Sequence, residues 1–159
     1  MMVLLILPGA FGIALLLIKL IKGNWNLQLS GCIGMSAMLL FTALGHFLFP
    51  KGMEMMIPPF FPFRLGLVYF TGILEIAAAI GLLLPAYRRI TAMLLIVFFV
   101  MITPANIYAA LHHINLETAT TDGKGPEYLW TRIPEQIIFI AWVWFFGIRS
   151  RSKALSWQP

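Results

Sequence analysis

The sequence predicts an all-α protein, a polytopic bundle of about five transmembrane helices that forms a single domain over residues 1–159. Composition is the first observation, because 60% of the residues are hydrophobic and only 11% are charged, whereas soluble domains carry about 25% charged residues. The second observation is that the apolar residues form long runs rather than alternating, as a helix that pairs all its backbone groups in lipid requires. A soluble globular domain is therefore excluded.

Five apolar runs approach the roughly 20 residues that a span needs. They cover residues 2–21, 29–49, 65–85, 90–111 and 131–148. The first run has no basic residue before it and no small-residue cleavage site after it, so we expect a retained helix rather than a signal peptide. Residues 51–64 are apolar but broken by prolines, which predicts a segment at the membrane interface. Residues 113–130 predict a polar loop.

The basic residues predict an orientation. Five spans place seven of them on one side, namely Lys19, Lys22, Arg88, Arg89, Arg149, Arg151 and Lys153. The other side has four, Lys51, Arg64, Lys124 and Arg132, together with most of the acidic residues. Because cytoplasmic loops collect Lys and Arg, we expect the N-terminus outside and the C-terminus in the cytoplasm of a bacterial cytoplasmic (inner) membrane. Topology thus explains the net charge of +5, and no nucleic-acid surface is predicted.

Aromatic residues and the single cysteine support the same interpretation. Trp25, Trp130 and Trp157 lie near predicted span ends, where tryptophan anchors helices at the interface. Cys32 is the one cysteine, which excludes a disulfide, a C-x-x-C motif and a cysteine-based metal site within the chain. We expect Cys32 to be a buried packing residue. No metal site and no cofactor held by the chain alone is predicted.

Glu75 is the most informative polar residue, because it lies near the middle of the third run. Ionisable side chains in lipid usually face the bundle interior and often mark function. Its helical face carries small residues, Thr71, Gly72, Ala78 and Ala79, which let another helix approach closely. Glu75 is therefore either a proton carrier or ligand-binding acid, or a structural hydrogen-bond anchor between helices.

Four more polar residues lie in the outer thirds of their spans: His46, Asn106, Arg132 and Gln136. Each has a plain structural interpretation: an interfacial side chain for His46, local backbone pairing beside Pro104 for Asn106, and a helix-start cluster for Arg132 and Gln136. Their shared depth favours a polar ligand pocket between the helices, open to the outer leaflet, with Glu75 at its floor. Which residues would be catalytic stays open.

At these positions the sequence resembles the DoxX-like family of small bacterial integral membrane proteins. The matching stretches are G-H-F from Gly45, Y-F-T-G-I-L-E-I-A-A-A-I-G-L-L-L-P from Tyr69, P-A-N-I-Y from Pro104 and R-I-P-E-Q from Arg132. The resemblance implies a four-helix core, to which this chain adds an N-terminal helix, and work near the quinone pool.

Three function classes remain. The first is a membrane subunit of a redox system near the quinone pool, possessing no catalytic motif of its own, with a quinone as the leading ligand. The second is a non-catalytic membrane partner, an assembly or chaperone subunit. The third is small-molecule or lipid binding or transport, which the lack of an inverted repeat among the spans disfavours. Expected partners are the lipid bilayer and either another protein or further copies of this chain.

Overall fold

The computed structural model describes residues 2–149, and nearly all of its regular structure is helical. The helices are α1 (Met2–Lys22), α2 (Leu27–Leu48), α3 (Pro50–Met55), α4 (Arg64–Leu83), α5 (Arg88–Leu111) and α6 (Glu127–Val143). A π-helical turn, Trp144–Arg149, continues α6 directly. Strand-like pairing in this part of the chain is confined to one isolated bridge between Asn115 and Thr120. The predicted all-α class is confirmed.

Four helices, α1, α2, α4 and α5, are long and apolar enough to cross a membrane. Their outer surfaces carry large apolar side chains, for example Leu20 at 80% and Met101 at 72% exposure. Such a surface is compatible with lipid, because lipid tails are as apolar as these side chains, whereas their exposure to water is unfavourable. The prediction of a membrane protein is thus confirmed at the level of four candidate spans, whose ends lie within two residues of the predicted ones.

Helices α2, α4, α5 and α6 form a ring in which neighbours run antiparallel. On α2 and α4, His46 lies beside Val68 and Ser36 lies beside Ala79, so the end of one helix meets the start of the other. The last turns of α6 return to the start of α2, where the Trp142 indole donates to a backbone carbonyl. The ends of α2 and α5 and the starts of α4 and α6 therefore share one end of the ring.

The interior of the ring is apolar in its middle. Leu39, Leu82, Leu95, Phe99 and Phe139 are all at most 5% exposed. Phe99 of α5 and Phe139 of α6 meet with ring centroids 5.7 Å apart. These apolar side chains join the four helices.

Helix α1 packs on the outside of this ring, against α2. It buries one stripe, formed by Leu7, Ala14 and Ile18. Phe11 also contacts the Trp142 ring, with centroids 5.3 Å apart. Large apolar side chains elsewhere on α1, among them Leu5 and Leu20, are exposed, so α1 is an addition to the ring rather than part of it.

Two connecting segments lie together at the end of the ring where α2 stops. Gly52 of α3 packs against the backbone carbonyl of Leu116, closely enough that a Cβ there would overlap it. After α3 the chain exposes Phe60 and Phe63, and Phe63 adopts a left-handed conformation with φ 53° just before α4. The interfacial position of this segment stays a prediction.

The start of the last helix differs from the prediction. We expected it near residue 131 with Pro134 in the first turn, but α6 begins at Glu127 and Pro134 is its eighth residue. An acidic residue in the first turn favours the earlier start, because it interacts well with the helix dipole. Pro134 has no N–H, so the carbonyl of Trp130 lacks its usual partner within the helix.

Candidate functional site between the helices

His46 and Glu75 meet between α2 and α4. Side chains on a helix lean toward its N-terminus, so in this antiparallel pair the imidazole and the carboxylate lean toward each other. His46 Nε2 lies 3.6 Å from Glu75 Oε1, and their side chains are 14% and 7% exposed. Gly72 allows this approach, because a Cβ at Gly72 would lie 2.8 Å from that of His46. The predicted burial of Glu75 on a small-residue face is confirmed.

Hydrogen bonds from neighbouring groups orient both side chains of this pair. His46 Nδ1 lies 2.9 Å from the carbonyl oxygen of Val68, to which it donates in the tautomer with a proton on Nδ1, and 3.2 Å from the Thr71 hydroxyl. Thr42 Oγ1 donates to Glu75 Oε2 over 2.8 Å. The 3.6 Å between Nε2 and Oε1 is longer than a hydrogen bond, and the contact is an ion pair when His46 is protonated.

Gln136 and Thr103 form a second polar contact, between α5 and α6. Thr103 Oγ1 donates to Gln136 Oε1 over 3.0 Å. Gln136 is 7% exposed, and its Nε2 is buried without a hydrogen-bond partner among the described residues. An unsatisfied buried donor is unfavourable by about 1–3 kcal/mol. This amide therefore has an open donor position inside the protein.

Arg132 is held within its own helix. Its Nη1 donates to Glu135 Oε2 over 3.1 Å and its Nε donates to the Tyr128 hydroxyl over 2.6 Å. Glu135 is 2% exposed, so the ion pair is anchored inside the protein. Arg132 and Glu135 are three residues apart on α6 and therefore lie on one helical face. These two bonds use two of the five N–H donors of a guanidinium.

Asn106 is buried on α5, three residues after Thr103, at 8% exposure. No hydrogen bond joins it to Glu75 within residues 2–149, where Thr42 and His46 are the groups that contact the carboxylate. The structure thus joins His46 to Glu75 directly. It places Asn106, Arg132 and Gln136 on the two helices that complete the same end of the ring.

The family described as a domain of unknown function (DUF8561) matches residues 35–147. The chain belongs to this family. Searches of the curated proteins and of the solved structures return no match.

The DUF8561 region contains all five candidate residues and the whole of α4, α5 and α6, whereas α1 precedes it. The site therefore lies in the part of the chain that defines the family. Within residues 2–149 no group of three or more His, Cys, Asp or Glu side chains is arranged to hold a metal ion.

Sequence reasoning did not identify three residues of the site: Thr42, Thr103 and Tyr128. Thr42 and Tyr128 each precede a predicted site residue by four positions, His46 and Arg132, so helical spacing places them on the same faces. Thr103 is separated from its partner by 33 residues, and only the packing of α5 on α6 reveals the contact.

Proposed function

We propose that this DUF8561 protein crosses a bacterial cytoplasmic membrane five times, with its N-terminus outside and its C-terminus in the cytoplasm. The fifth span would be α6 with its π-helical extension, residues 127–149. At about 1.5 Å per residue this segment is about 34 Å long, enough for a hydrocarbon core of about 30 Å. Lys19, Lys22, Arg88 and Arg89 lie at the end of the bundle assigned to the cytoplasm.

Reporter fusions test this topology. A fusion after Gly125 should be active outside, and a fusion after Pro159 should be active in the cytoplasm. Both fusions reporting the same side would contradict the five-span arrangement, while the four candidate spans would stand.

We further propose that the polar end of the ring binds a quinone head group, and that the chain is a membrane subunit of a redox system near the quinone pool. The observation that carries this is the buried contact between the imidazole of His46 and the carboxylate of Glu75, two groups that can each bind and release a proton. Reduction of a quinone to a quinol takes up two electrons and two protons. A buried imidazole–carboxylate pair suits the transfer of one proton, water would supply the other, and a partner protein would supply the electrons. The resemblance to DoxX-like proteins supports the same location.

Donors on α6 suit the oxygen atoms of such a head group. Gln136 Nε2 has an open donor position, and Arg132 has N–H groups beyond its bonds to Glu135 and Tyr128. Quinone carbonyl oxygens accept hydrogen bonds from amides and guanidinium groups. A lipid-soluble ligand would reach the site from the membrane, between helices.

Binding of decylubiquinone to the purified protein tests this function, with tryptophan fluorescence as the readout. We expect saturable binding that weakens about tenfold or more in Glu75→Ala and Arg132→Ala, since each variant removes a charge-assisted contact. Ser36→Ala, which removes a hydrogen bond to the Ala79 carbonyl away from the proposed site, is the matched control. Equal binding in all variants, or none in the wild type, would exclude the quinone proposal.

A second candidate function is a non-catalytic partner or assembly subunit. It is favoured by the fact that many polar groups of the site satisfy one another, as Thr42 does for Glu75 and Glu135 does for Arg132. Native mass spectrometry of the gently extracted protein distinguishes the two functions. A stoichiometric protein partner with no bound small molecule would favour the assembly role, and a retained quinone would favour the first.

A further inference from the structure

The Gln136 side chain combines two features that rarely occur together. Its amide is buried, and one end of it has a partner while the other has none: Oε1 accepts from Thr103, but Nε2 lacks a partner among the described residues. Buried polar groups are nearly always paired with protein or water. The unpaired position is therefore a place for a group that is not part of residues 2–149.

Thr103 can pair with either end of that amide. Its Oγ1 lies 3.0 Å from Gln136 Oε1 and 3.1 Å from the carbonyl oxygen of Phe99. A hydroxyl has one proton to donate and two lone pairs that accept. Thr103 can therefore donate to Gln136 Oε1, or it can donate to Phe99 and accept from Gln136 Nε2 if the amide turns over.

Turning the amide over exchanges what Gln136 offers on its open side. The carbonyl and amino ends of the amide have nearly the same size, so a half-turn needs little movement of the neighbours. When Oε1 faces Thr103, the open side of the amide is the donor Nε2. In the reversed orientation the open side is the acceptor Oε1, and Thr103 still completes the inner hydrogen bond.

We propose that the Gln136 amide hydrogen-bonds one oxygen of the quinone head group in either of its two orientations, and we call this binding position the seat. Thr103 is the positioning residue that pairs with the amide in both orientations. This inference rests on the proposed function and extends it to both redox forms. A quinone oxygen is a carbonyl that only accepts, so it takes the Nε2 donor. A quinol oxygen is a hydroxyl that donates, so it takes the Oε1 acceptor. The same site then holds substrate and product.

Binding of both redox forms to the full chain tests the seat. Decylubiquinone and decylubiquinol should bind the wild type with Kd values within about tenfold of each other, because each finds a complementary end of the amide. Gln136→Leu and Thr103→Val should each weaken both forms by about three- to tenfold, the effect of one lost hydrogen bond. Thr103→Ser keeps the hydroxyl and should bind both forms as the wild type does.

Nuclear magnetic resonance of the wild type tests the amide without any variant. The chain has three glutamines, Gln28, Gln136 and Gln158, so glutamine-selective ¹⁵N labelling yields three side-chain NH₂ groups, and the Gln136→Leu spectrum assigns one of them. That signal should move to one position with decylubiquinone and to another with decylubiquinol.

The binding and resonance measurements can reject the role of Gln136 without rejecting the proposed quinone binding. Two results would show that Gln136 does not bind the head group: an unmoved Gln136 signal when decylubiquinone binds the wild type, or full affinity in Gln136→Leu. The proposed function would still stand in either case. The open position beside Gln136 would then hold an ordered water. If the quinol binds more than about a hundredfold more weakly than the quinone, Gln136 Nε2 is a fixed donor and the amide does not turn over. Binding of neither form refutes the proposed function and the seat together.

Discussion

The two ends of the helix ring differ in the contacts that predominate between their helices. At the polar end, hydrogen bonds join the helices, as between Thr42 and Glu75 or between Thr103 and Gln136. At the other end, which we call the close-packed end, glycines bring helices into direct contact. This end comprises Gly31, Cys32, Ala92, Trp142, Phe146 and Gly147.

Contacts at the close-packed end leave no space for a side chain. Gly31 lies against the Phe146 ring so closely that a Cβ would overlap it, and a Cβ on Gly147 would lie 2.5 Å from that of Ala92. Overpacking a tight contact is unfavourable by about 1–3 kcal/mol, whereas a hydrogen bond between membrane helices contributes on average about 0.6 kcal/mol. A substitution that overpacks the close-packed end should therefore lower the free energy of unfolding more than one that removes a single hydrogen bond at the polar end.

The largest expected effect is that of Gly147→Ala. The new Cβ meets the Cβ of Ala92, which has no side-chain rotation to move it away, so we expect a loss of about 1–3 kcal/mol in unfolding free energy. Unfolding in mixed micelles with increasing denaturing detergent measures it. Gly12→Ala is the matched control, since a Cβ at Gly12 meets nothing within 4 Å. Equal stability of the two variants would break the distinction between the ends.

Glu75 variants should have smaller effects on stability. Glu75→Leu leaves His46 and Thr42 without their partner, and we expect a loss of about 1 kcal/mol. Glu75→Gln should stay within about half of that, because its amide can donate to His46 Nε2 and accept from Thr42. The same unfolding measurement applies. A loss in Glu75→Gln as large as that in Gly147→Ala would mean that the polar end also determines stability.

Trp142→Phe sharpens the comparison from within the close-packed end. It removes the 2.9 Å hydrogen bond to the Gly31 carbonyl but keeps an aromatic ring next to Phe11. We expect a loss of about 0.6 kcal/mol, the average for one such bond in a membrane protein. Trp142→Leu, which also removes the ring contacts, should lose clearly more. If the two variants lost the same amount, the hydrogen bond rather than the packing would hold this end.

The smallest effect lies in the loop outside the spans. A hydrogen bond from Thr120 holds the pKa of Asp122 below its ordinary value. A carboxyl whose pKa is lower in the folded protein stabilises it fully above its unfolded pKa, and this contribution disappears as the pH falls through the folded pKa. Thr120→Val should return the Asp122 pKa toward about 3.9, as a carboxyl-detected titration would show. Thr120→Ser, which keeps the hydroxyl, is the control and should leave that pKa low.

Much of this architecture follows from local sequence patterns. The helix α4 and its buried Glu75 were predicted because an acid among small residues within an apolar run has no favourable position except against another helix. The start of α6 was placed four residues too late because Trp130 and Arg132 suggested a membrane boundary, whereas Glu127 and its interaction with the helix dipole determine where the helix begins.

The sequence by itself determined the all-helical class and predicted five spans, four of which match helices long and apolar enough to cross a membrane, because the length and apolar content of a segment decide whether lipid accepts it. The tertiary structure decided which polar groups pair. Thr42 with Glu75 and Thr103 with Gln136 are each 33 residues apart in the chain, and no local spacing encodes such a pair. It depends on the rotation and register of two packed helices, which are set by where glycines such as Gly72 and Gly147 allow close approach.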